Sequence, residues 1–181
     1  MAVKITYFVH GTTTDNEKWF SSWRYDVELS TLWIKQSIEL KNQIDISSFD
    51  VVFCSDLKRA VDSANITFEN KIPIIKDTRI RECNYGIYNA KDSEIVEPLQ
   101  EKNIYERFPE WESYEDVKIR IQDFLNFLKE HYDGKHVAIV AHKAPQLALD
   151  VILKNKKWEE AFTDDWRKRK ARQPWREYIL E

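Results

Sequence analysis

The chain is expected to fold as an α/β protein, a three-layer α/β/α sandwich around a mostly parallel central sheet. Three observations predict this. Its strand-like segments are short and apolar throughout, as in residues 51–54 (VVFC) and 137–141 (VAIVA), the pattern of strands covered on both faces. They alternate with stretches whose apolar residues recur at helical spacing. No repeat, low-complexity tract or Pro/Gly-rich linker interrupts the 181 residues, so a single domain over residues 1–181 accounts for the chain.

In chain order, residues 5–9 (ITYFV) read as the first strand, which stops at His10-Gly11 and a run of small polar residues to Asn16. Residues 51–54 form the next strand, and Leu57, Ala60, Val61, Ala64 and Phe68 mark one face of the helix after it. Residues 72–75 follow as a strand that Pro73 assigns to a sheet edge, because proline has no N–H to donate to a second neighbour. Val117, Ile121, Phe124, Leu125 and Leu128 outline a long helix, entered through Ser113 with Asp116 three residues on as capping partner. Asp133-Gly134 closes it. Strand 137–141 ends at His142, and Ala144, Leu147, Ala148 and Val151 supply the buried face of a third helix. Alternation in this order favours parallel pairing with helices on both faces. Such sheets bind ligands beyond the carboxyl ends of their strands.

Composition excludes several function classes. Lys and Arg (28) nearly balance Asp and Glu (31) for a net charge of −3, so no global basic field points to nucleic acid or a membrane surface. No apolar run approaches bilayer-spanning length and the N-terminus lacks the apolar core of a secretion signal, so a cytoplasmic location is expected. Cys54 and Cys83 lack metal-type spacing and read as free thiols. The basic stretch 166–176 reads as a solvated helix, with Asp164 and Asp165 four residues before Lys168 and Arg169 as salt-bridge partners.

Four residues on the predicted rim could carry chemistry. His10 ends the first strand, where an imidazole can act as nucleophile, base or metal ligand; a structural role in a turn is the bland alternative. Arg59, in the first turn of the helix after VVFC, could hold an oxyanion jointly with helix N–H groups, or be an ordinary exposed arginine. Glu82 could be a general acid, or a surface carboxylate paired with Arg79 or Arg81. His142 ends its strand just as His10 ends the first, and the two together are harder to dismiss than either alone.

Over residues 4–153 these segments resemble the histidine phosphatase superfamily, the phosphoglycerate mutase-like fold. His10-Gly11-x-Thr13-x-x-Asn16 is similar to the opening R-H-G-x-T-x-x-N, and Asp26, Leu29 and Gln36 match the D-x-x-L…Q that follows. Ser55-x-Leu57-x-Arg59-Ala60 with Ser63-Ala64 resembles S-x-L-x-R-A-x-x-T-A, and Arg81-Glu82 with Gly86 resembles L-x-E-x-x-x-G. Glu112-Ser113 and Arg120 match the G-E-S…R run, and Val140-Ala141-His142 the second histidine strand. The resemblance implies a nucleophilic His10 that becomes phosphohistidine, with Glu82 as acid and then base. Arg59, His142 and Asn16 would hold the phosphoryl oxygens, with Gly11 and Thr13 at the same rim. No cofactor and no metal are implied; the expected partner is a small phosphorylated substrate, and the chain would be a monomer or a homodimer.

Two departures stand out. Val9 occupies the position of the motif arginine, which removes a charged donor worth about 1.5–3 kcal/mol of oxyanion stabilisation. Lys143, where the family usually has glycine, is the expected substitute, with Arg24 and Lys58 as further candidates. Second, Trp19, Trp23, Trp33 and Trp111 stand where the family's segments favour glycine, and Trp175 follows Gln173-Pro174 at a turn-like spot. With three glycines and seven tryptophans in the chain, this pattern is what misreading UGA as tryptophan, in a genome that uses it for glycine, would produce. UGG at those codons would instead make the tryptophans genuine, as a possible aromatic substrate pocket; Trp158 and Trp166 match no expected glycine.

The leading expectation is a metal-independent phosphatase acting on a small phosphomonoester. A phosphomutase of the same fold is the near alternative, although the chain is short for one. A catalytically weakened phospho-ligand-binding module is another, with Val9 as its mark. A metallohydrolase using His10, His142 and Glu82 is a third, separable by chelator sensitivity. Residues 91–111, where specificity would be set, match nothing diagnostic.

Overall fold

The computed structural model describes residues 1–14, 18, 20–21, 30–69, 71–165 and 175–181, with the backbone alone for Ser21, Trp33 and Ser37. Its strands are β1 (Val3–Val9), β2 (Phe20–Ser21), β3 (Val51–Cys54), β4 (Ile74–Lys76), β5 (Lys91–Asp92), β6 (His136–Ala141) and β7 (Arg176–Leu180). The helices are α1 (Thr31–Lys41), α2 (Lys58–Phe68), α3 (Ser93–Lys102), α4 (Tyr114–His131), α5 (Lys143–Leu153) and α6 (Trp158–Thr163). Among the described residues, five strands form the central sheet in the order β4-β3-β6-β1-β7. All neighbours are parallel except β7, which runs antiparallel to β1 along the edge. β2 and β5 pair in a separate two-stranded ribbon.

Period-two alternation along continuously apolar strands produces the two buried faces. Ile5, Tyr7, Val51, Phe53, Val137 and Ile139 point to one side, where α4 and α5 cover them with Ile121, Phe124, Leu125, Leu147 and Ala148. Phe8, Val52, Cys54, Ala138 and Val140 point to the other, against Ala64 and Phe68 of α2, with Leu40 of α1 packed behind. Both cysteines are buried free thiols; burial raises the Cys54 thiol to about 11 and the Cys83 thiol well above its ordinary value.

Local signals act as expected. Ser113 and Asp116 form a reciprocal capping box at α4, and Gly134, at φ +74°, makes the left-handed turn after that helix. Pro73 precedes β4 rather than lying within the strand, and its carbonyl accepts the Val52 N–H (2.9 Å), so β4 sits on the edge.

The C-terminus differs from the expectation. Residues 166–174 lie outside the described residues, but Arg176, read as the end of a solvated basic helix, opens β7 and points inward. Its guanidinium bonds Asp150 of α5, which is fully buried and also accepts the Tyr178 hydroxyl (2.9 Å) and faces Lys154 (3.3 Å). Three donors on one carboxylate offset the cost of burying it. Asp164 pairs with Lys156 (2.9 Å) and the fully buried Asp165 with Lys143 (3.3 Å). A charge pattern with helical spacing is equally compatible with a strand whose alternate residues turn under a helix.

The proposed glycine sites divide. Trp19 and Trp23 lie outside the described residues; Trp33 has helical backbone within α1, and neither Trp111 nor Trp175 adopts a positive φ. Glycine's conformational freedom is therefore not what positions 33, 111 and 175 use, and Trp175 packs against Phe8 with ring centroids 6.4 Å apart.

No helix among the described residues is long and apolar enough to cross a membrane.

Candidate active site

Parallel pairing of β1 with β6 brings the two histidines together. Val9 is in register with Ala141, and the ladder runs one step further through His10 N–H to the Ala141 carbonyl (2.9 Å). The rings of His10 and His142 then lie 4.9 Å apart, inclined at 60°. β3, on the other side of β6, ends beside them and feeds α2, whose second residue is Arg59. Arg59 is 2% exposed, and its Nε donates to His10 Nε2 at 3.3 Å.

Hydrogen bonding assigns the His10 tautomer. Nδ1 lies 2.7 Å from the Gly11 carbonyl, a partner that can only accept, so Nδ1 carries the proton. Nε2 keeps its lone pair and turns it toward Arg59. A Ser63 bridge steadies the loop: its hydroxyl accepts the Gly11 N–H (3.1 Å) and donates to the Arg59 carbonyl (2.6 Å). Thr13 is fully buried beside this loop, the Thr12 carbonyl accepts the Ser30 N–H at 3.1 Å, and Asn16 lies outside the described residues.

His142 is fully buried, and both of its ring nitrogens lack a hydrogen-bond partner among the described residues. Burial, then the charge of Arg59, holds its pKa well below the ordinary 6.5, so the ring is neutral at pH 7. A neutral imidazole with one N–H to donate, next to a guanidinium and a lone-pair nitrogen, is an arrangement suited to an anionic oxygen. Its backbone is fixed from β1: the Tyr7 hydroxyl donates to the His142 carbonyl (2.7 Å) and accepts the His142 N–H (3.0 Å). Sequence reading missed Tyr7, which looks like any other core aromatic; a polar tip inside a both-faces-buried strand is the available signal.

Glu82 is 7% exposed and takes neither arginine partner suggested by its sequence neighbours. Arg79 pairs with Asp77 and Asp123, and Arg81 with Asp56. The Glu82 carboxylate instead sits on the first turn of α5, accepting N–H groups from Lys143 (3.1 Å), Ala144 (3.0 Å) and its own neighbour Cys83 (2.8 Å). The first-turn N–H groups of a helix have no partner within the helix, and the Glu82 carboxyl satisfies two of them. Both His142 and Glu82 are thus fixed by one junction, where β6 becomes α5.

Lys143 contributes its backbone there, while its ammonium turns to Gln100 (2.9 Å) and Asp165 (3.3 Å) and lies 5.8 Å from the Phe162 ring. Lys58 pairs with Asp62 and Arg24 lies outside the described residues. Val9 is half-buried and packed on the core. Among the described residues, Arg59 is the cationic side chain bonded to His10, and no group of three His, Cys, Asp or Glu is arranged to hold a metal ion.

A parallel α/β sheet with paired histidines at adjacent strand ends, a buried arginine and a helix-capped glutamate defines a class. The model of the Histidine phosphatase superfamily (branch 1) matches residues 7–174, and the chain belongs to that superfamily. It is similar to the "Uncharacterized phosphatase PhoE" of Bacillus subtilis (strain 168), 31% identical over 147 residues that cover 77% of this chain and 72% of that protein. It is 30% identical over 111 residues to a 2,3-bisphosphoglycerate-dependent phosphoglycerate mutase of Streptococcus agalactiae serotype Ia, covering 57% of this chain and 48% of that enzyme. The chain thus spans about half the length of the mutase it matches. The fold superposes on Bacillus stearothermophilus YhfR with TM-score 0.78 at 20% identity, covering 88% of this chain and 83% of that one. It superposes on a mycobacterial glucosyl-3-phosphoglycerate phosphatase in complex with VO3 with TM-score 0.79 at 22% identity, covering 88% and 86%. The phosphoglycerate mutase-like fold expected from the sequence is the fold observed.

Proposed function

We propose that the chain is a metal-independent phosphatase that hydrolyses a small phosphomonoester through a phosphohistidine on His10. The observation that carries this reading is the orientation of His10: Nδ1–H is held by the Gly11 carbonyl and the Nε2 lone pair faces Arg59. In the first step Nε2 attacks phosphorus, the P–O ester bond breaks, and the departing oxygen takes a proton from the Glu82 carboxyl. In the second, water attacks phosphorus, the P–N bond breaks, and Glu82 receives the proton that the water loses. Arg59 and the neutral His142 spread the charge on the phosphoryl oxygens, with Gly11, Thr13 and Asn16 at the same rim. Lys143 serves this reaction through its backbone N–H on Glu82, and its ammonium holds Gln100 and Asp165.

Rapid acid-free quenching with a labelled aryl phosphate tests the reading. An acid-labile, base-stable phosphoenzyme is expected, together with turnover that a chelator leaves intact and free phosphate as the product. Chelator-abolished turnover would replace the reading with metal-assisted hydrolysis, and return of the phosphoryl group to a second substrate hydroxyl would make the protein a mutase.

Val9 sets a second expectation. Val9→Arg, adding a guanidinium one residue before His10, is expected to raise kcat/KM for generic aryl phosphates about tenfold or more, the worth of one charge-assisted hydrogen bond. A flat or lowered rate would show that the valine site is matched to a different phosphoryl group.

A further inference from the structure

Residues 81–85, which carry Glu82, have no regular secondary structure, so no ladder or helix of their own holds the backbone that bears the carboxyl. Two side chains from α4 and its entry do so. Arg120, in the second turn of α4, donates through Nη2 to the Glu82 carbonyl (3.1 Å) and through Nη1 to the Arg79 carbonyl. The same guanidinium clasps Glu112, Nε to Oε2 at 3.1 Å and Nη2 to Oε1 at 3.2 Å. Glu112 Oε1 also accepts the Asn84 N–H at 2.9 Å. One ion pair therefore grips the chain on both sides of Cys83, at the Glu82 carbonyl and at the Asn84 N–H.

We propose that Arg120, with Glu112, is a positioning residue that sets the aim of the Glu82 carboxyl toward the leaving oxygen of the substrate. The inference rests on the reading of Glu82 as general acid. Proton transfer needs heavy atoms within hydrogen-bond reach, and misplacement by about 1 Å costs on the order of a hundredfold. A planar fork that bonds two carbonyls and a carboxylate at once holds that geometry; a single ammonium cannot. Arg120 bonds the backbone that carries Glu82, so it acts through Glu82 rather than on the phosphoryl group. The sequence shows Arg120 and Glu112 only as matches to a family segment, without a role.

Leaving-group dependence distinguishes positioning from a merely structural part. 4-Nitrophenyl phosphate departs without help from an acid, whereas an alkyl phosphate such as butyl phosphate requires it. The ratio of the two rates, measured on one preparation, is independent of how much protein is folded. Arg120→Gln and Glu112→Gln are expected to lower kcat/KM, which reports the steps up to departure of the leaving group and not hydrolysis of the phosphoenzyme, by no more than about threefold on 4-nitrophenyl phosphate and by about tenfold or more on butyl phosphate. Glu82→Gln, run in parallel, is expected to shift the ratio in the same direction and further. Equal losses on both substrates in the Arg120 and Glu112 variants, alongside a shifted ratio for Glu82→Gln, would overturn the positioning role while leaving Glu82 as the acid. An unshifted ratio for Glu82→Gln itself would overturn both.

Discussion

His10→Ala is expected to lower turnover of aryl phosphates by about three orders of magnitude or more and to abolish the acid-labile phosphoenzyme. The size follows from what the substitution removes. In the proposed mechanism the Nε2 lone pair is the nucleophile, held in place by the Gly11 carbonyl that fixes the tautomer. Alanine leaves Arg59 and His142 in place, so substrate binding, read as KM or as inhibition by vanadate, is expected to change far less than kcat. That split separates loss of a bond-forming group from loss of a binding group. Chelator-resistant turnover that survives the substitution would show that water attacks phosphorus directly and would remove the phosphohistidine from the mechanism.

Arg59→Lys is the second large effect, an expected loss of about 10²–10³ in kcat/KM. Lysine preserves the charge but not the fork, and the residue before His10 is Val9, which offers no second guanidinium. Arg59 works beside a neutral, fully buried His142 whose protonation its charge opposes. The thermal midpoint of the variant, measured alongside its kinetics, is expected to move little, because charge is conserved at a position with the same backbone. Near-wild-type activity would show that the phosphoryl group is held by other residues.

The legibility of the site varied with how local each feature is. His10, Arg59 and His142 were marked by position, each standing where an apolar strand gives way to loop or helix, and that placement depends on a few consecutive residues. Glu82 was marked only within a segment, and its sequence neighbours suggested arginine partners that in fact bind Asp77, Asp123 and Asp56. Two of its donors come from the first turn of α5, some 60 residues on. Lys143 was singled out for its ammonium, yet the structure uses its backbone N–H at Glu82 and ties the ammonium to Gln100 and Asp165. Arg176 looked solvated because charge spacing alone does not distinguish an exposed helix from an inward-facing strand residue; Asp150 makes that distinction.

By itself the sequence determined the α/β class, the parallel core strands, the α4 cap and the strand-end positions of the two histidines. Each depends on periodicity or on contacts within a few residues, which one chain segment encodes without help. Only the tertiary structure decided the tautomer of His10, the neutral state of His142, the Tyr7 bridge, the seating of Glu82 on α5 and the Arg120–Glu112 grip on its loop. Those are set by hydrogen bonds and burial between segments far apart in the chain, and a pKa or a lone-pair direction exists only once those segments have met.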